Sequence, residues 1–174
     1  MTKFLTKAAL AATVATSLFA SPALAAPAGE ADFIAKAKIV KAVTLTNGSD
    51  LDFGTTVMNS TLVSANVTVG NATGAVAVCS SAQLSCQGGF PASFTVTGGS
   101  ADQSLEISFP SPPTQLDHTT LAGESVDFSL NVVADVLLDS AGVGSFNVGG
   151  TITVVAATVD GTYDATVDVV ANYL

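Results

Sequence analysis

The stretch Asp164-Ala165-Thr166-Val167-Asp168-Val169-Val170-Ala171-Asn172-Tyr173-Leu174 decides how the rest of the chain is read. Its odd positions, Ala165, Val167, Val169, Ala171 and Tyr173, are apolar or aromatic, whereas Thr166, Asp168 and Asn172 stand between them. Successive side chains of a β-strand point to opposite faces, so a period of two marks an extended segment with one buried side. The many valines fit a pleated, half-buried surface.

The same period recurs toward the middle of the chain. Val126, Phe128, Leu130 and Val132 alternate with Asp127, Ser129 and Asn131, and Leu105, Ile107 and Phe109 alternate with Ser104, Glu106 and Ser108. Shorter strands are predicted at 94–96, 146–148 and 152–154, and earlier ones at 37–45, 62–69 and 75–78. Turn signals separate them at Asn47-Gly48, Gly70-Asn71, Gly98-Gly99, Ala141-Gly142 and Asp160-Gly161. Pro110, Pro112 and Pro113 end one strand, because proline lacks the N–H a sheet interior needs. One-sided alternation with a mixed polar face predicts an all-β, antiparallel β-sandwich of about seven to nine strands.

The N-terminus has a different character. Lys3 and Lys7 precede an apolar run at 8–20, followed by Ser21-Pro22-Ala23-Leu24-Ala25-Ala26. A positive region, a short apolar core and an A-x-A site predict a secretory signal peptide over residues 1–25. The apolar run falls short of the roughly 20 residues a spanning helix needs, so no integral membrane span is expected. Residues 26–32 read as a flexible lead-in and 33–174 as a single β-sandwich domain. The expected location is outside the cytoplasm: periplasmic, cell surface or extracellular.

Past residue 25 the chain holds Lys36, Lys38 and Lys41, no arginine, and all fourteen acids, a formal charge of −11. Such a chain repels phosphate, which argues against nucleic acid as a partner. Cys79 and Cys86 are the two cysteines, and in an exported chain they are expected to pair as a disulfide.

Nothing in the sequence assembles a catalytic constellation, and no cofactor or metal is called for. His118, the sole histidine, stands beside Asp117 in what reads as a loop, and no G-x-S-x-G elbow is present. Asn47, Ser49, Asp50 and Asp52 crowd oxygen-bearing side chains together, but calcium asks for six to eight oxygens and the EF-hand pattern is not completed. Asx-rich turn formation is the simpler reading, with calcium at the Asn47–Asp52 loop left open.

Four stretches in order carry a family resemblance: Leu51-Asp52-Phe53-Gly54; Phe94-Thr95-Val96-Thr97-Gly98; Gly144-Ser145-Phe146-Asn147-Val148-Gly149-Gly150-Thr151-Ile152; and Gly161-Thr162-Tyr163 through Tyr173. Over roughly residues 35–174 the chain resembles a family of small exported proteins of Gram-negative bacteria classed as a domain of unknown function (DUF4402-like). The resemblance implies an immunoglobulin-like sandwich and carries no catalytic residues.

The C-terminus also resembles that of chaperone–usher pilins, which end in an alternating strand with a penultimate aromatic and a glycine fourteenth from the end. Tyr173 and Gly161 hold those places here. In the pilins that strand pairs with a periplasmic chaperone by strand addition. Phe33, Ala35, Ala37 and Ile39 alternate in the same way. That segment reads either as the domain's own first strand or, by the resemblance, as a donor strand for a neighbour. In the pilins the disulfide ties the first strand to a distant one, whereas Cys79 and Cys86 close a local loop.

The strand-addition candidates are therefore Phe33, Ala35, Ala37, Ile39, Gly161, Val167, Val169 and Tyr173. The expected role is a non-catalytic structural subunit, pilin-like or of a surface layer, forming a homo-oligomer or filament. The alternative is a secreted binding module or adhesin that recognises a glycan or surface ligand through its loops.

Overall fold

The computed structural model describes residues 32–131 and 135–174. The signal assigned to 1–25, and residues 26–31 of the lead-in, lie outside the described residues. Thirteen strands form among the described ones. They are β1 (Thr44–Ser49), β2 (Thr55–Met58), β3 (Ser64–Val69), β4 (Ala77–Cys79), β5 (Leu84–Gln87), β6 (Ala92–Thr97) and β7 (Ser104–Ser108). After these come β8 (Gln115–His118), β9 (Ser125–Asn131), β10 (Asp135–Leu137), β11 (Gly144–Val155), β12 (Tyr163–Asp164) and β13 (Val170–Tyr173). Every pairing is antiparallel. The all-β antiparallel sandwich expected from the alternation is what the chain forms.

β11 is the spine. Its first half pairs with β6, and its second half lies between β3 and β9. β1-β6-β11-β9-β8-β12 form the main sheet, with β3 and β4 branching from β11, while β10-β7-β13 and β2-β5 are separate small sheets. Alternation places Ala92, Val96, Phe146 and Val148 on one inner face, opposite Leu105, Ile107 and Val136. Phe94 and Phe146 are cross-strand partners, and their rings stack at 5.1 Å. A second cluster gathers Leu62, Ala65, Val67, Leu84 and Val154, and a third gathers Leu116, Val126 and Phe128. Leu51 and Leu130 pack against the first and third clusters, Phe53 and Ile152 against the second and third.

Several sequence expectations are corrected. The strands expected at 146–148 and 152–154 are one strand, which runs on through Gly149-Gly150, a site of close approach. A Cβ on Gly149 would stand 2.2 Å from the Val69 carbonyl oxygen, and one on Gly150 would meet Phe128, Leu51 and Phe53 at 2.9–3.1 Å. The Asn47-Gly48 turn signal lies inside β1, where the register passes from Asn47↔Phe94 to Ser49↔Ser93 and leaves Gly48 as the extra residue of a bulge. The strand expected from residue 37 begins only at Thr44, so Phe33, Ala35, Ala37 and Ile39 lie in no strand of this domain. His118 ends β8 and is not in a loop. The count exceeds seven to nine because β2, β5, β8 and β10 are only three or four residues long and escape a periodicity test.

The expected disulfide forms between Cys79 of β4 and Cys86 of β5, with Cα atoms 5.8 Å apart. It closes a short loop, and it also joins the main sheet to the separate β2-β5 pair. Closing a loop of that length constrains the unfolded chain by about 2–3 kcal/mol. Cys79→Ser/Cys86→Ser, or reduction, is therefore expected to lower stability by about that amount. The melting temperature should fall by roughly 5–10 °C, as calorimetry or thermal circular dichroism would record.

Candidate functional site

A groove of about 1120 Å³ lies beside the main sheet. Small-ligand pockets hold roughly 300–1,000 Å³. Its floor includes Phe94, Phe128, Leu130 and Ile152, from the three strands β6, β9 and β11. One lip is β1 with the connection to β2, through Leu45, Leu51 and Phe53; the other is the chain from Thr158 to Val169. The apolar floor follows from the alternation, since each strand turns one face to the same side.

Both lips have free edges. β1 has β6 as its ladder partner, β12 has β8, and these two strands end the order of the main sheet. Between β12 and β13, residues 165–169 make no ladder and no backbone–backbone hydrogen bond among the described residues. The single strand expected over 164–174 is thus divided. Its alternation persists nevertheless: Val167, Val169, Ala171 and Tyr173 are partly buried, and Thr166, Asp168, Val170 and Asn172 are exposed. A segment with one apolar face turned inward and its backbone unpaired has the chemistry to accept another strand.

The candidates from the sequence fall into three places. Val167 and Val169 lie on the groove's second lip. Phe33 and Ile39 are 89% and 93% exposed, and Ala35 and Ala37 are exposed as well. Tyr173 sits away from the groove, in β13, and works as a clamp. Its hydroxyl donates to the Lys41 carbonyl at 2.6 Å and accepts the Ser100 N–H at 2.9 Å. The Lys41 N–H in turn donates to Ser100 Oγ at 2.9 Å, and Lys38 Nζ donates to the Leu174 carbonyl at 2.9 Å. These bonds fix the point at which residues 38–41 join the sandwich.

Gly161 has a local cause that the pilin comparison did not reveal. A Cβ there would stand 2.0 Å from His118 Nε2. The His118 ring packs edge-on to Tyr163 at 5.0 Å, and its Nδ1 accepts N–H bonds from Thr120 and Leu121, both 3.1 Å. With Nδ1 an acceptor, Nε2 carries the hydrogen and donates to the Asp160 carbonyl at 3.2 Å. The imidazole thereby ties the β8 turn to the segment that begins the second lip. Tyr163 donates to the Val159 carbonyl at 2.6 Å. Burial pushes its phenol above the usual tyrosine value, and the Glu124 carboxylate adds to this.

The oxygen-rich loop resolves into turn chemistry. Asp50 Oδ1 accepts from Asn47 Nδ2 at 2.7 Å, and Asp52 Oδ1 accepts the Gly54 N–H at 2.7 Å. Among the described residues no three His, Cys, Asp or Glu side chains converge as a metal site. No helix among them is long and apolar enough to cross a membrane.

Residues 43–173 match a family described as Domain of unknown function (DUF4402). The chain belongs to that family. No curated protein and no solved structure matches it. The DUF4402 match begins at Val43, one residue before β1, and closes at Tyr173, so it contains the whole groove and excludes Phe33–Ile39.

Two outcomes are expected from this geometry. Tyr173→Phe strips the Lys41 carbonyl and the Ser100 amide of their shared partner, at about 1–2 kcal/mol for a partly exposed pair. Urea melts should show the loss, and hydrogen exchange should quicken at Ser100. The raised Tyr163 phenol favours the neutral form in the folded state. Its contribution to stability is therefore full below the unfolded value of about 10 and is lost as pH rises through the higher folded value. Tyr163→Phe should remove that alkaline loss in stability measured against pH.

Proposed function

We propose that this chain is a non-catalytic, exported structural subunit, pilin-like or of a surface layer, that associates by β-strand addition. The observation that carries the reading is the groove, apolar in its floor and bounded by the free edge of β1 and the unpaired residues 165–169. A strand laid there gains backbone hydrogen bonds from a lip that lacks them and buries alternate side chains against Phe94, Leu130 and Ile152. The exposed alternating segment at Phe33–Ile39 supplies a strand of the right pattern. His118, the residue best suited to proton transfer, spends both ring nitrogens on backbone partners, which favours a structural over a catalytic role. The pilin resemblance of the C-terminus supports the same role, although Tyr173 and Gly161 act here through local contacts.

The test is assembly of the processed chain, residues 26–174, against a variant lacking 26–39. The intact chain should form oligomers by light scattering and size exclusion. The shortened chain should stay monomeric with an unchanged β-sheet spectrum. An intact chain that remains monomeric, or a shortened one that assembles equally well, contradicts strand addition by this segment.

A further inference from the structure

Charge is divided in this protein more sharply than its net value conveys. Beyond the signal, every cation is in the six residues from Lys36 to Lys41, while residues 42–174 hold twelve acids and neither lysine nor arginine. Five of those acids, Asp50, Asp52, Asp160, Asp164 and Asp168, line the groove, on both lips, and all are exposed.

The alternation gives this division a register. In the second lip Val167 and Val169 are partly buried while Asp164, Thr166 and Asp168 are exposed. In the N-terminal segment Phe33, Ala35, Ala37 and Ile39 share one parity, and Lys36 and Lys38 the other. A strand seated with its apolar parity inward therefore presents Lys36 and Lys38 on the outer face, the face that carries Asp164 and Asp168. Opposite charges across neighbouring strands attract, and like charges there repel. Seven extended residues cover roughly 23 Å, enough for the roughly 17 Å of the unpaired lip.

We infer that the occupant of the groove is the segment Phe33–Ile39 of a second copy of this chain, selected by pairing of its Lys36 and Lys38 with Asp164 and Asp168. This rests on the strand-addition reading and names its partner. A second copy is favoured over the chain's own segment because Lys41 is held by both its N–H and its carbonyl, only three residues before β1. A return of the segment onto its own β1 would have to turn through that clamped residue. The Lys38–Leu174 bond of the free subunit is a single exposed contact and is given up at little cost.

The experiment compares four forms of the processed chain: unchanged; Lys36→Glu/Lys38→Glu; Asp164→Lys/Asp168→Lys; and all four substitutions together. All sites are exposed, and circular dichroism with thermal melting verifies each fold. The critical concentration for assembly should rise about tenfold in each double variant and return toward the original in the quadruple one. For the unchanged chain it should rise as sodium chloride goes from about 50 to about 500 mM, as screening of exposed pairs requires. Recovery in the quadruple chain cannot arise from misfolding. Equal assembly of all four forms overturns the charge selection and leaves strand addition standing. An unchanged chain that stays monomeric, with its groove empty or filled by its own segment, overturns both.

Discussion

A single strand holds two sheets' worth of partners, and that is possible only where its middle has no side chains. β11 changes neighbours at Gly149-Gly150, passing from β6 to β3 on one flank. The Val69 carbonyl and the Gly70 backbone come close to Gly149, and Leu51, Phe53 and Phe128 close over Gly150. These last three are also residues of, or packed against, the three apolar clusters. A larger residue at either glycine would force apart the point at which the clusters meet, and overpacking of a dense core costs about 1–3 kcal/mol or more. The strands of the main sheet, whose side chains make the groove floor, are arranged about that crossing.

How far this was legible in the sequence depends on how local each cause is. β7 and β9 read directly, because Leu105/Ile107 and Val126/Phe128/Leu130 keep their period without interruption. The parity of the C-terminal stretch was correct down to Val167 and Val169, but which of its residues have a ladder partner depends on β7 and β8, far off in sequence. Asn47-Gly48 reads as a turn, and Gly149-Gly150 falls between two strands predicted as separate. One is a bulge and the other a close approach, and only the neighbouring chain tells them apart. Of the site, its candidate residues were readable but its shape was not. A groove is the space between β1 and 165–169, more than a hundred residues apart, and no local pattern records it.

An unpaired edge is a hazard, since it invites any extended chain. Here the outer face of the second lip is guarded by Asp164 and Asp168. Extended segments that carry carboxylates of their own, as β7, β8, β9 and β10 do through Glu106, Asp117, Asp127 and Asp135, would be repelled there. In the proposed assembly, recognition and protection would thus come from the same two side chains, and the selectivity from the scarcity of cations elsewhere in the chain.

That scarcity also bears on symmetry. A two-fold contact between identical faces of the sandwich would oppose acid to acid, because residues 42–174 offer no compensating lysine or arginine. A contact between the basic segment of one copy and the acidic groove of another is heterologous, with the two surfaces at different places on the subunit. In the proposed assembly each addition would consume one groove and one segment and leave one of each free, so growth would continue unless the rotation between neighbours closed a ring. If the proposed strand addition holds, the charge distribution therefore favours an open chain of subunits over a closed dimer, before any detail of the strand's fit is considered.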